Sequence, residues 1–443
     1  MEIKLLDLIL TPIYFVTILI FASGYQKRKE KLDPVYKYFT RGLIVKMLGA
    51  ISICMVYTYY YKGGDTTVYF NDALCLLNSF SKSPEIFFKL LFGEYTAENF
   101  SIFDESTGVP VHWENSQAIF SVRFFVPFCL LGCRSFIVSA ILVGVFCYSG
   151  IWKLFQIFSQ HFPHLINEFQ ISILYIPSVV FWGSGLLKDT VTISAVGWYT
   201  YGLYYFFILK KSRVNAFIVL LFSTFLIISI KPYILFALLP GSILWIFDAR
   251  ISKLKSQFIK ALASPVFLAL SLVLGVYILS QLGGVLGLYK IDSVMERAYL
   301  VQSDLKQEYY GGHTFDLGEF SPTFQSMMGK APQAISAALF RPYLWDVKNP
   351  VMFLSALENT YILLLTITLL IRLKVVGIFI QIRKNPLVMF SVFFSLFFAF
   401  AVGIATPNFG ALVRLRIPCL PFFVSSLFIL SYLYKNKQLK FGF

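Results

Sequence analysis

The chain has 443 residues, of which 57% are hydrophobic, 18% aromatic and only 14% charged, with a mean hydropathy of +0.71. Soluble globular chains hold roughly 45–50% apolar and about 25% charged residues, so the composition excludes a soluble dinucleotide enzyme or nucleic-acid-binding domain. The formal net charge of +15 is read as the basic loops of a polytopic membrane protein.

About 20 apolar residues carry a helix across the hydrocarbon core. Runs of that kind predict an all-α membrane protein of about eleven spans, near 5–23, 43–60, 135–153, 169–185, 190–209, 214–230, 233–248, 260–283, 351–371, 386–404 and 411–433. The first has no clear small-residue cleavage site and is read as a retained span. Residues 118–132 are apolar but short and contain Arg123 and Pro127, which suits an interfacial or re-entrant helix. Basic clusters at 27–41, 210–213, 250–260, 372–384 and 435–440 then fall on one side, the cytoplasmic one by the positive-inside rule. The N-terminus is expected outside and the C-terminus inside a bacterial cytoplasmic membrane. The long polar segments 61–134 and 284–350 are expected on the outer face as short helices of a single membrane domain, 1–443. Lys46, inside the second span, reads as a snorkelling cation. No internal repeat of a transporter is seen. The six cysteines and four histidines show no disulfide framework or metal spacing, and His112, His161, His164 and His313 read as solvated loop residues. No cofactor is implied; a divalent metal is compatible but not indicated.

Ionisable groups in or beside spans are expensive and point to function. Here they are Asp65, Lys188, Asp189, Lys231, Arg341, Glu358, Arg414 and Arg416, with Tyr69 close to Asp65. All are expected at the outer face. Their cation excess suits an anion, and arginine suits phosphate through its planar fork. The ligand this suggests is a polyprenyl phosphate or diphosphate entering from lipid. Each residue also has a plain structural reading. Asp65 and Asp189 fit helix caps. Lys188, Lys231 and Arg416 fit snorkelling side chains. Glu358 fits a structural ion pair with Arg341 or Arg414.

Two stretches carry a resemblance. Gly63-Gly64-Asp65-Thr66 with Tyr69, opening the first outer loop, and Asn408-x-Gly410 followed by Arg414-x-Arg416-Ile417-Pro418 resemble the GT-C superfamily of lipid-carrier-dependent glycosyltransferases. That superfamily includes PMT/ArnT-like enzymes and related polysaccharide polymerases and ligases. The chain departs from the usual paired carboxylates in carrying Thr66 beside Asp65. The resemblance implies Asp65 as the catalytic acidic residue. It implies Lys188, Lys231, Arg341, Arg414 and Arg416 as donor-phosphate contacts, with Asp189, Glu358 and Tyr69 as polar or structural pocket groups. Trp113, Tyr309, Tyr310 and Trp345 would offer aromatic faces to sugar. The expected function is transfer from a polyprenyl-phosphate-linked sugar to a glycan or lipid acceptor in surface polysaccharide or glycolipid assembly. The alternatives are a polymerase or ligase using a polyprenyl-diphosphate-linked donor, and a flippase or transporter of lipid-linked glycan.

Overall fold

The computed structural model describes residues 2–251, 291–305 and 314–441. The expected span 260–283, together with Lys253, Lys255, Lys260, Tyr309, Tyr310 and His313, lies outside the described residues. Among the described residues the chain is helical, and its one β-type pairing is an isolated bridge between Thr314 and Asn408. Lipid offers no partner for backbone N–H and C=O groups, so a spanning segment must satisfy them within itself. Six helices are long and apolar enough to cross a membrane: Leu5–Glu30, Pro34–Tyr60, Phe136–His161, Arg213–Ile230, Pro350–Lys384 and Pro386–Ala405. A seventh span results if Phe409–Leu415 and Leu420–Asn436, bent by 70°, count as one. This is a multi-pass helical membrane protein.

The helices are α1 (Leu5–Glu30), α2 (Phe39–Met55), α3 (Asp65–Asn78), α4 (Pro84–Phe92), α5 (Ala97–Phe100), α6 (Ser116–Leu131), α7 (Phe136–His161), α8 (Ile166–Phe169), α9 (Pro177–Trp182), α10 (Lys188–Leu203), α11 (Arg213–Ile230) and α12 (Tyr233–Ile251). They continue with α13 (Ile291–Leu305), α14 (Phe324–Gly329), α15 (Ala331–Phe340), α16 (Pro350–Lys384), α17 (Pro386–Ala405), α18 (Phe409–Leu415) and α19 (Leu420–Phe441). They form two compact units. The first comprises Met1–His161, Val179–Gly202 and Ile218–Pro232; the second comprises Phe162–Ser178, Leu203–Phe217 and Tyr233–Phe443.

In the first unit α2 packs on α7 and α3 on α6. Asp7, 3% exposed, accepts from Ser135 Oγ at 2.5 Å and from the Ile137 N–H at 3.4 Å. A carboxylate thus sits at the start of α7, where the unpaired N–H groups favour negative charge. Small residues bring α7 and α10 together: a Cβ on Gly150 would collide with Ser194, and one on Gly197 with the Gly150 carbonyl. Close backbone approach is how membrane helices gain packing without a hydrophobic drive between them. The polar stretch 61–134 forms the four helices α3 to α6. At 16 residues, α6 is about 24 Å long, shorter than the ~30 Å hydrocarbon core.

In the second unit α12, α15 and α19 pack on α17. A Cβ on Gly403 of α17 would strike the Ala334 backbone of α15. The last span bends because Pro418 lies in the break between α18 and α19, where it removes a donor and clashes with a continuing helix.

One expected span is not a continuous helix. Residues 169–185 fold as the end of α8, a π-turn at Gln170–Leu174, the short α9 and a buried turn at 183–187. Pro177 cannot continue the turn before it, and Gly185 adopts φ +106, a conformation open to glycine. Irregular backbone at such a place must be covered by protein, and Lys46 supplies part of that cover. Its Nζ is buried and donates to the Gly183 carbonyl. The snorkelling expected of Lys46 is therefore replaced by an inward contact.

Candidate functional site

The site in the first unit starts from the glycines before α3. Gly63 and Gly64 have φ +141 and φ +127, which only glycine adopts without strain. The chain then enters α3 at Asp65, half-buried in the first turn. Gly64, not Asp65, occupies the cap position. Asp65, Tyr69 and Asp72 follow at helical spacing and share a face.

Tyr69 is buried, and Lys188 Nζ lies 5.9 Å from its ring centroid. His112 also stacks on that ring at 4.9 Å and 28°, and Phe125 meets it edge-on at 6.1 Å. The imidazole Nδ1 lies 2.8 Å from Asp72 Oδ2. Asp72, 1% exposed, also accepts from the N–H groups of Val111 at 2.9 Å and His112 at 3.1 Å. His112 is thus fixed by a buried carboxylate rather than free in a solvated loop. Beside Lys188, Asp189 is fully buried and pairs with buried Lys231. Lys231 therefore turns inward onto a carboxylate instead of snorkelling. The hydroxyls of Thr66 and Thr190, one residue after Asp65 and Asp189, are buried without a hydrogen-bond partner among the described residues. Trp113, expected to offer a face to sugar, is 2% exposed and donates to the Thr96 carbonyl at 3.2 Å. Its ring is spent on packing. Nearby, burial and the Asp72 charge push the Cys75 thiol up to about 11.

The second unit builds a separate cluster around Arg416, which is 0% exposed. Its Nη1 donates to the carbonyls of Ala338 at 2.9 Å and Arg341 at 3.0 Å, and Nη2 donates to Asn359 Oδ1. Nη2 also lies 3.8 Å from Glu358 Oε1. Glu358 accepts from the Ser178 N–H at 2.8 Å and from Ser178 Oγ at 2.6 Å. The carboxylate expected to need Arg341 or Arg414 takes Arg416 and Ser178 instead. The guanidinium expected on donor phosphate has both its Nη groups on protein acceptors. Arg414, two residues earlier, is half-buried.

Arg341 differs. Its guanidinium lies over Phe315 at 5.4 Å and Tyr343 at 5.3 Å, and no acceptor among the described residues takes a hydrogen bond from it. Tyr343 in turn stacks on Trp345 at 4.8 Å and 26°. Trp345 is 78% exposed. An arginine framed by rings and followed by an exposed indole suits an anionic sugar derivative.

The structure therefore brings Asp65, Tyr69, Lys188, Asp189 and Lys231 into one unit, and Arg341, Glu358, Arg414 and Arg416 into the other. The residues missed in the sequence are Asp72, His112, Ser178 and Asn359. Asp72 was within reach, because it repeats Asp65 at seven residues. The others come together only through tertiary folding. Among the described residues no group of three His, Cys, Asp or Glu side chains could hold a metal. Compared with family models, curated proteins and solved structures, the chain matches none.

Proposed function

We propose that this protein is a GT-C-like glycosyltransferase of about eleven spans, acting at the outer leaflet on a polyprenyl-phosphate-linked sugar. The reading is carried by the first-unit cluster, where Lys188 lies over Tyr69 on the helix that Asp65 opens. Asp65 engages the acceptor hydroxyl. Lys188, half-buried at the start of α10, carries the charge of the departing phosphate, an electrostatic role that grows as the bond breaks. Lys231 holds Asp189 and so fixes the turn that presents Lys188. The hydroxyls of Thr66 and Thr190, without a hydrogen-bond partner among the described residues, add polar capacity beside Asp65 and Asp189. In the second unit, Arg341 is the residue best suited to an anion. Arg416 supports it by holding the Arg341 carbonyl.

The test uses full-length protein in proteoliposomes with a polyprenyl-phosphate-linked sugar. Asp65→Asn is expected to lower turnover markedly, mainly through a higher KM for acceptor. Full retained turnover at all acceptor concentrations would remove Asp65 from the site.

A further inference from the structure

A buried carboxylate that orients a histidine is a different object from a lone loop histidine. Asp72 receives three donors from the 111–112 segment: the Val111 N–H, the His112 N–H and His112 Nδ1. An ionised carboxylate only accepts, so the proton in the 2.8 Å contact belongs to Nδ1. In the neutral ring this leaves Nε2 as the acceptor, with the tautomer set by the bond at the other nitrogen. Tyr69 stacks on the ring and restrains its tilt. No group among the described residues bonds Nε2, and the His112 side chain keeps 22% of its surface exposed while that of Asp72 keeps 1%. The dyad is therefore anchored on its buried side and open on the other. Lys188 stands against the Tyr69 ring as well, so the same ring touches both the histidine and the cation assigned to phosphate.

We infer that His112 Nε2 is the proton acceptor of this site, with Asp72 as its positioning residue and a sugar or lipid hydroxyl as the group it deprotonates. The inference rests on the glycosyl-transfer reading and divides the labour within it. Asp65 anchors the acceptor and His112 takes its proton. A histidine held in one tautomer by a carboxylate is the side chain most often used as a general base. In the step, the acceptor O–H bond breaks and its proton passes to Nε2. The oxygen's electron pair forms the new bond to the anomeric carbon. The bond from that carbon to the phosphate oxygen breaks, and its electron pair leaves on the polyprenyl phosphate beside Lys188. The imidazolium then returns its proton to the released phosphate or to water.

Two arms test this on the full chain. The first needs no substrate: the purified protein is treated with diethyl pyrocarbonate, and acylation of each histidine is followed by peptide mass spectrometry. Expected is rapid modification of His112, slowed several-fold in Asp72→Asn, where the amide disturbs the tautomer while the other histidines keep their rates. Equal His112 rates in the two proteins would overturn the dyad. The second arm measures transfer from a polyprenyl-phosphate-linked sugar. His112→Gln is expected to lower kcat by ~10²–10⁴, the range for lost general-base catalysis, with little change in acceptor KM, and Asp72→Asn is expected to follow it. Asp65→Asn acts on KM. Unchanged kcat in His112→Gln would overturn the assignment. Wild-type protein inert towards such donors would overturn the glycosyl-transfer step itself, and the labelling arm would still decide whether Asp72 and His112 act as a dyad. A monodisperse elution profile of each variant separates loss of folding from loss of function.

Discussion

Arg123 in the first unit and Arg416 in the second solve the same local problem. Arg123 Nη2 donates to the carbonyls of Leu90 at 2.7 Å and Gly93 at 2.8 Å, at the end of α4. Arg416 Nη1 takes the carbonyls of Ala338 and Arg341, at the end of α15. Each arginine grips the residue that closes a short helix and the residue three before it, groups a helix leaves without intrahelical donors. The surroundings differ. Arg123 lies over Tyr95 at 4.4 Å and Trp113 at 5.8 Å, and among the described residues no carboxylate pairs with it. Arg416 has Glu358 and Asn359. Ring faces and carbonyl dipoles thus suffice for a half-buried cation, whereas the fully buried one is tied to a counter-ion. A buried arginine in such a chain is not by itself a ligand group, and the charge left over after helix ends are held is the better guide.

Three substitutions test that contrast by thermal or denaturant unfolding in detergent. Arg416→Met should cost the most, about 3–5 kcal/mol, because it strands Glu358 in a buried place. Arg123→Met should cost less, about 2–3 kcal/mol, since it frees two carbonyls and loses ring contacts but strands no acid. Equal losses at the two sites would break the distinction between them. Lys46→Met should cost the least, about 1 kcal/mol or less. It releases one carbonyl, that of Gly183, and also removes a buried ammonium. A loss at Lys46 as large as that at Arg416 would show that the turn at 183–187 depends on this one contact.

The long helices were legible because hydropathy reports burial in lipid directly. Leu5–Glu30 and Pro386–Ala405 contain few residues that break the pattern. The interruption in 169–185 was harder to see. Pro177, Gly183 and Gly185 disappear in an average over apolar neighbours, although each is a local stop signal. Pro418 is a stop signal of the same kind in the last span. Of the site, Asp189 and Lys231 were both singled out, but their pairing spans 42 positions and no local spacing encodes it. Lys188 was visible as an out-of-place charge. Its approach to Tyr69 was not, because the residues lie on different helices. His112 was misread for the same reason: its meaning comes from Asp72, 40 residues earlier.

The contact of Lys46 with Gly183 has a consequence for how the chain is made. The two groups are separated by 137 positions. At a synthesis rate of ~5–20 residues per second, the ammonium waits roughly 7–27 s for its carbonyl to emerge. During that interval α2 carries a charge whose native partner does not yet exist. The second span therefore completes its final seating only after α9 has been made.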